Sequence, residues 1–375
     1  MPFEYQAAVL HEAGTPLSIE TVVAPDLRAT DVLVRVRAAG LCHTDLEVIQ
    51  GQLRHPMPIV LGHEAAGEVV AVGEHAAGVR PGDHVVLSWN PHCDDCFYCD
   101  RDLPILCETY QREGARAMQF DGASRASLKT GAALHHLMFV GAFGEYCIVP
   151  DQSAIPVPKA IPFDAACLIG CGVMTGAGAA LNIAQIAPGD GVAVIGCGAV
   201  GLAAVQGARL AGAGTVIAVD LDDGKLELAR RLGASHAVNA RTADAAAAVR
   251  DLTGGRGADV VLESAGSPIA FRTTVEAVRP GGEVVWLGKT DLQAEVALRW
   301  GALMGEKRIR RSSYGGARPA RDFPRLAQDY LDGRLKLDEL ITQRIPLTAI
   351  NEGFQALASG EAIRSVVVMG GGSPL

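Results

Sequence analysis

Nine cysteines are spread over 375 residues, and four of them fall close together. The stretch "HCDDCFYCDRDLPILC", residues 92–107, carries Cys93, Cys96, Cys99 and Cys107 as Cx2Cx2Cx7C. Thiolates spaced this way on one loop can wrap a single tetrahedral ion, and zinc takes four sulfurs at about 2.3 Å without redox chemistry. Reducing compartments disfavour a disulfide framework, and a thiol-exchange pair needs only two cysteines. The bacterial iron–sulfur run sets its last cysteine closer and follows it with proline. The spacing therefore favours a structural zinc, with an iron–sulfur cluster or unmetallated thiols as the other readings. Four protein thiolates leave no open position, so this lobe would brace a loop and take no part in catalysis.

A second set is dispersed. Cys42 lies in "GLCHTD", His63 and Glu64 in "LGHEAAGEV", and Cys171 in "LIGCGVMTGAGAA". Two thiolates and one imidazole would leave the fourth position of a zinc free for a substrate oxygen, which the ion would polarise near neutral pH. Their separation along the chain is too great for spacing alone to join them. A third pattern is local: "GVAVIGCGAVG" places Gly196, Gly198 and Gly201 as GxGxxG, with Ala199 and Val200 between, after an apolar strand and at the start of a helix. Such glycines let the backbone approach a pyrophosphate seated on the helix N-terminus. Asp220 ends the next strand, nineteen residues after Gly201. An acid there bonds the adenosine ribose hydroxyls and repels a 2′-phosphate, which favours NAD over NADP. Lys225, on the following helix, is placed to reach the ribose or the phosphates.

These residues need elements to hold them. From residue 172 onward, short apolar strands such as "GVAVI", "TVIAVD" and "ADVVLESAG" alternate with Ala-rich helical stretches. That alternation implies a parallel sheet covered on both faces. The run "ADAAAAVR" (243–250) reads as a solvent-facing helix. The first 171 residues read as short alternating strands between Gly and Pro turns, a mostly β or barrel-like domain. Beyond residue 313 the chain returns to mixed helix and strand. An α/β domain at 172–313 thus interrupts a mostly β domain made of 1–171 and 314–375, with hinge segments expected near 172 and 313. A length of 375 residues suits two domains, and the net charge of −9, with no basic stretch, argues against a nucleic-acid partner. The N-terminal "MPFEYQAAVLHEAG" has no basic leader followed by an apolar run, and no apolar stretch reaches the ~18–20 residues of a membrane helix. A cytoplasmic protein without membrane association is expected.

Taken in order, "GLCHTD", "LGHEAAGEV", "PGDHVV", the cysteine loop, "LIGCGVMTGAGAA", "GCGAVG", "VD" and "INEGF" resemble the zinc-dependent medium-chain alcohol dehydrogenases, close to the class III-like bacterial branch, over essentially the whole chain. The resemblance implies a Rossmann cofactor domain, a doubly wound parallel sheet, inserted in a GroES-like catalytic domain whose structural zinc lobe spans 92–108. It implies two zinc ions per chain. Cys42, His63 and Cys171 match the catalytic ligands, with Glu64 as an exchangeable acid, and Cys93, Cys96, Cys99 and Cys107 match the structural site. The implied reaction is reversible NAD-linked oxidation of primary alcohols to aldehydes by hydride transfer. Thr44 matches the hydroxyl that relays the alcohol proton. Glu47 stands where some relatives end the relay in a histidine, so either Glu47 or water receives the proton, with water favoured. His43 and Arg364 match contacts to the cofactor phosphates. Cys147, Cys167 and Cys197 have no metal role and are expected to pack as small apolar groups.

For the substrate, Trp89 matches a pocket wall, and Leu53, Phe143 and Leu287 are expected beside it. Large apolar walls suit benzylic, allylic or medium-chain alcohols. The class III likeness makes the glutathione adduct of formaldehyde the second reading. Against it, "GQLRHPMPIVLGHE" lacks the acidic insertion that meets the glutathione amine, and Gln111 and Arg112 match the carboxylate-binding arginine only loosely. An enzyme with tightly held NAD and an external acceptor is a third reading. A catalytically dead sensor is disfavoured by the intact Cys42, His63, Cys171 and Thr44. The family edge "EVALRWGALM" (295–304) and the long loop between Cys107 and Cys171 imply a homodimer.

Overall fold

The computed structural model describes residues 2–370. It divides into two compact units. One runs to Cys171 and takes in Arg318–Gly333 and the chain from Leu340 on; the other comprises Gly172–Ala317 and Arg334–Glu339. The short pieces 314–317 and 334–339 thus go with the α/β unit, which sequence patterning had ended at 313. In the second of these, the Gln206 side chain bonds both backbone groups of Lys336, at 2.7 and 2.9 Å, and stitches that segment to the helix Ala199–Leu210.

The first unit is built of two mostly antiparallel sheets. Its organising strand is Asp31–Gly40, "DVLVRVRAAG". One edge of this strand pairs with Ala65–Val72; the other pairs first with Tyr146–Pro150 and then, from Ala38 on, with Ser365–Val368. Period-two alternation sends Val32, Val34 and Val36 into one apolar cluster and Leu33 into another. Both faces of the strand are therefore covered, and its end is a rigid platform for the residues that follow it.

The second unit holds a six-stranded sheet, parallel throughout, in the order His236–Asn239, Thr215–Asp220, Gly191–Ile195, Ala258–Glu263, Val278–Trp286, Arg308–Arg311. Numbered along the chain, that order is 3-2-1-4-5-6, the doubly wound dinucleotide-binding arrangement. Its helices start on side-chain caps: Asp222 accepts from the Lys225 N–H, Asp244 from Ala247 and Ser267 from Ala270. The helix Ala245–Leu252 is not wholly solvent-facing, because Ala245, Ala246 and Val249 pack into the apolar cluster beneath it. No single helix among the described residues is long and apolar enough to cross a membrane.

Candidate functional site

The strand Asp31–Gly40 delivers Leu41 and then Cys42, which caps the helix His43–Ile49. His63 enters from the turn after Ile59–Val60, where Gly62 adopts φ +93°. A Cβ at Gly62 would also stand 2.8 Å from the Phe143 ring, so the position excludes side chains twice over. Cys171 follows the short helical turn Cys167–Gly170. These three segments, remote in sequence, bring the ligand atoms of Cys42, His63 and Cys171 within 4.8 Å of one another.

Asp45 organises the centre. Fully buried, its carboxylate accepts from the Gly62 N–H at 2.9 Å and the Cys42 N–H at 3.2 Å, and stands 3.2 Å from His63 Nδ1. That contact occupies Nδ1 and leaves Nε2 as the ligand atom, an outer-shell carboxylate of the kind that orients metal-bound imidazoles. Burial works against a charged His63 ring, but Asp45 and the neighbouring Cys42 thiolate outweigh it and raise its pKa well above the ordinary value. A hydrogen bond from the Cys171 thiol, opposed by burial and aided by His63, holds the Cys42 thiol well below its usual range. The donors are two soft thiols, one already favoured as thiolate, and one oriented imidazole. That set fits zinc with an open fourth position.

Glu64 and Arg364 lie next to this centre. Arg364 Nε is 3.3 Å from Glu64 Oε1, and the guanidinium also donates to the Leu41 carbonyl at 2.7 Å. Both side chains are buried. Gly40 makes room for the pair, since a Cβ there would stand 2.2 Å from Glu64 Oε1. His43 is exposed, while Thr44 and Glu47 are half-buried on the helix His43–Ile49.

In the lobe, the sulfurs of Cys93, Cys96, Cys99 and Cys107 lie within 4.8 Å of one another. The pairs Cys96–Cys99 and Cys93–Cys107 are 3.5 Å apart, near the about 3.8 Å edge of a tetrahedron with 2.3 Å zinc–sulfur bonds. Four sulfurs converging on one point leave room for a single ion and none for a multi-iron cluster. Backbone N–H groups of Cys93, Tyr110 and Glu108 point at these sulfurs. Those of Cys99 and Glu108 bring the Cys96 thiol down to about 6, whereas burial lifts Cys99 to about 12.

The substrate-side residues divide. Trp89 and Leu53 are partly buried against the core of the first unit. Phe143 is not a pocket wall: its ring is fully buried, edge-on to Phe354 at 5.8 Å and packed on Gly62. A large apolar side chain reads alike in sequence whether it faces a cavity or the core. Tyr110, which the sequence reading passed over, packs on Trp89 at 6.3 Å and stacks on Phe139 at 5.3 Å. Burial, with the charge of the nearby Cys171, raises its pKa. Only its three-residue offset from Cys107 could have pointed to it. Leu287 is buried in the second unit, and Cys147, Cys167 and Cys197 are buried thiols.

The glycine turn of the second unit has the required form. Gly196 adopts φ +92°, and a Cβ on Gly201 would meet the Gly196 carbonyl oxygen at 1.7 Å. Gly198 caps the helix Ala199–Leu210, so the N–H groups of Ala199, Val200 and Gly201 face outward from its first turn. Asp220 is drawn against this turn: one carboxylate oxygen accepts from the Cys197 N–H at 2.6 Å, the other from Leu221 and Asp222 at 2.7 and 3.0 Å. Lys225 is half-buried one turn into the next helix.

Known proteins share this arrangement. The alcohol dehydrogenase GroES-like domain matches residues 28–159, and the zinc-binding dehydrogenase domain matches 199–331. The chain is 37% identical over 368 residues to an alcohol dehydrogenase class-3 of Drosophila melanogaster, covering 96% of this chain and 97% of the relative. It is also 37% identical to an S-(hydroxymethyl)glutathione dehydrogenase of Komagataella pastoris, covering 97% of each. Among solved structures, an alcohol dehydrogenase zinc-binding domain protein from Burkholderia ambifaria superposes with TM-score 0.95 at 36% identity, over 99% of this chain and 100% of that one. Benzyl alcohol dehydrogenase from Acinetobacter calcoaceticus gives 0.93 at 29%, over 98% and 100%. The converging thiols and imidazole, the 3-2-1-4-5-6 sheet and these full-length matches agree: this chain belongs to the zinc-dependent medium-chain alcohol dehydrogenases, in their class III-like part.

Proposed function

We propose that this dehydrogenase oxidises free primary alcohols with an apolar body (benzylic, allylic or medium-chain) to aldehydes, with NAD as acceptor. The observation that carries the reading is the aromatic wall of Trp89 on Tyr110 close to Cys171. A flat apolar ring packs on such a wall through its face or edge. Residues 51–57, "GQLRHPM", offer Arg54 and His55 and no acid to receive the amine of a glutathione adduct. Arg112 is paired with Glu113 at 2.8 Å.

When bound, zinc supplies a Lewis acid for the alcohol oxygen and the nicotinamide supplies the hydride acceptor. The chain does the rest. Cys42, His63 and Cys171 hold the metal, and Asp45 fixes the imidazole. Thr44 Oγ1 would accept the alcohol proton and hand its own on toward water, and Glu47 stays a half-buried acid beside it. His43, exposed on the helix His43–Ile49, would be available to a cofactor phosphate. Arg364 holds Glu64 beside the metal site, and its charge would favour a cofactor phosphate nearby. Asp220 selects the unphosphorylated ribose, with Lys225 beside it, and the first-turn N–H groups of Ala199 to Gly201 receive the pyrophosphate. Thr44→Ala is expected to lower kcat by about 100-fold or more while the NAD dissociation constant stays within twofold, read by steady-state kinetics and NADH fluorescence titration.

The second reading, oxidation of a thiol adduct of formaldehyde, is favoured by the names of the relatives. NADH formation from benzyl and hexyl alcohols, run beside formaldehyde plus glutathione, separates the two. Turnover of the free alcohols alone supports the proposal; turnover of the adduct alone replaces it.

A further inference from the structure

Glu263 ends the strand Ala258–Glu263, on the far side of the central strand Gly191–Ile195 from Asp220. It is fully buried. One side-chain oxygen, Oε1, accepts from the Ala265 N–H at 2.8 Å and the Gly266 N–H at 2.7 Å. Its main-chain carbonyl accepts from Leu287 at 2.7 Å and Gly288 at 3.1 Å. Oε2 faces Gly288, with the Arg311 guanidinium nearby. Burying this carboxyl is costly, and the backbone donors with the charge of nearby Arg311 offset only part of that cost, so the fold tolerates the residue for what it holds.

The Glu263 carboxyl binds the loop 264–266 and packs its other oxygen against Gly288, while its main-chain carbonyl binds 287–288. Glycines let these loops interlock: a Cβ on Gly266 would meet the Lys289 carbonyl oxygen at 2.1 Å, and one on Gly288 would meet the Gly266 nitrogen at 2.3 Å and Glu263 Oε2 at 2.6 Å. Ser264 Oγ then donates to the Gly196 carbonyl at 2.8 Å, joining the clasp to the glycine turn. In a doubly wound sheet the ligand lies beyond the carboxyl ends of the strands where their order reverses, here between Gly191–Ile195 and Ala258–Glu263. A dinucleotide whose adenosine ribose meets Asp220 and whose pyrophosphate crosses the turn at 196–201 must run its other half over residues 263–266.

We propose that Glu263 is a positioning residue for the nicotinamide half of the cofactor: it clamps the loops 264–266 and 287–288 that floor this half of the site. The inference rests on the NAD reading above. The test compares binding of NAD and of ADP-ribose, which lacks the nicotinamide, by isothermal titration to the zinc-loaded enzyme. Glu263→Ala is expected to weaken NAD about tenfold, roughly 1.4 kcal/mol, and leave ADP-ribose within about twofold. Glu263→Gln, which keeps an acceptor for Ala265 and Gly266, should restore most of the NAD affinity. Gly288→Ala keeps the carboxyl but drives a Cβ between Glu263 Oε2 and the Gly266 nitrogen, and should show the same selective loss if Glu263→Ala does not fold. Equal weakening of both ligands, or of neither, overturns the positioning role. A wild-type enzyme that binds neither overturns the NAD reading itself, and the inference with it.

Discussion

Two buried side chains that take no part in hydride transfer support the centre and the fold around it. Asp45 binds two backbone N–H groups and the His63 ring at once. Asp45→Asn keeps the shape but replaces an acceptor with a donor facing the imidazole. It should speed zinc loss from the catalytic site, with affinity lower by about 10–100-fold, read by competition with a chelator while the lobe zinc is retained. The second is His136, whose Nε2 accepts the Arg125 N–H at 2.7 Å. Burial, with the Arg125 guanidinium, lowers its pKa to about 3. The folded chain keeps this ring neutral, while the unfolded chain protonates it below about 6.5. Its contribution is therefore complete above pH 6.5 and is lost as pH falls toward 3. By pH 5 the loss amounts to about 2 kcal/mol. In urea unfolding at pH 7 and pH 5, His136→Gln should show a smaller difference than wild type; an unchanged difference would mean that the ring does not drive the acid sensitivity.

At the scale of elements, the cysteine lobe gathers its four sulfurs around one site, with Gln152 and Arg318 bonding its rim. Cys99→Ser is expected to reduce zinc from two ions per chain to one by elemental analysis, and to open residues 92–108 to proteolysis. Two ions retained would contradict the four-sulfur site. This lobe and the glycine turn were legible in the sequence because their geometry is local: the ligands or glycines sit a few residues apart, and the spacing encodes the shape. The catalytic ligands were legible only through resemblance, since Cys42, His63 and Cys171 meet through strands that pair at long range. Asp45 and Glu263 were not legible at all. Their partners are mostly backbone N–H groups, and a main-chain group leaves no mark in the residue type. Phe143 was misread for the opposite reason, because its type is equally suited to a core. The helix 245–252 looked exposed because alanine is small enough to serve either face.

For the whole molecule, the second unit carries exposed apolar side chains close together in sequence: Leu292 is 93% exposed, Trp300 79% and Met304 61%. Isolated apolar residues on a surface are ordinary, but a cluster of this kind points to a partner surface. We propose a homodimer through the edge 295–304, and Trp300→Glu should shift sedimentation from dimer to monomer. A monomeric wild type would remove that expectation. One more consequence lies in the order in which the chain is made. The strand Asp31–Gly40 is complete only when Ser365–Val368 lies along it, and Arg364 reaches Glu64 in the same stroke. The parallel sheet, by contrast, draws all six strands from residues 191–311. On the ribosome the nucleotide unit can therefore finish while the metal-binding unit still waits, its first half synthesised and its closing strand not yet translated. Until residues 364–368 emerge, Cys42, His63 and Cys171 belong to an open sheet, and metal captured early would be held by a site that lacks its arginine.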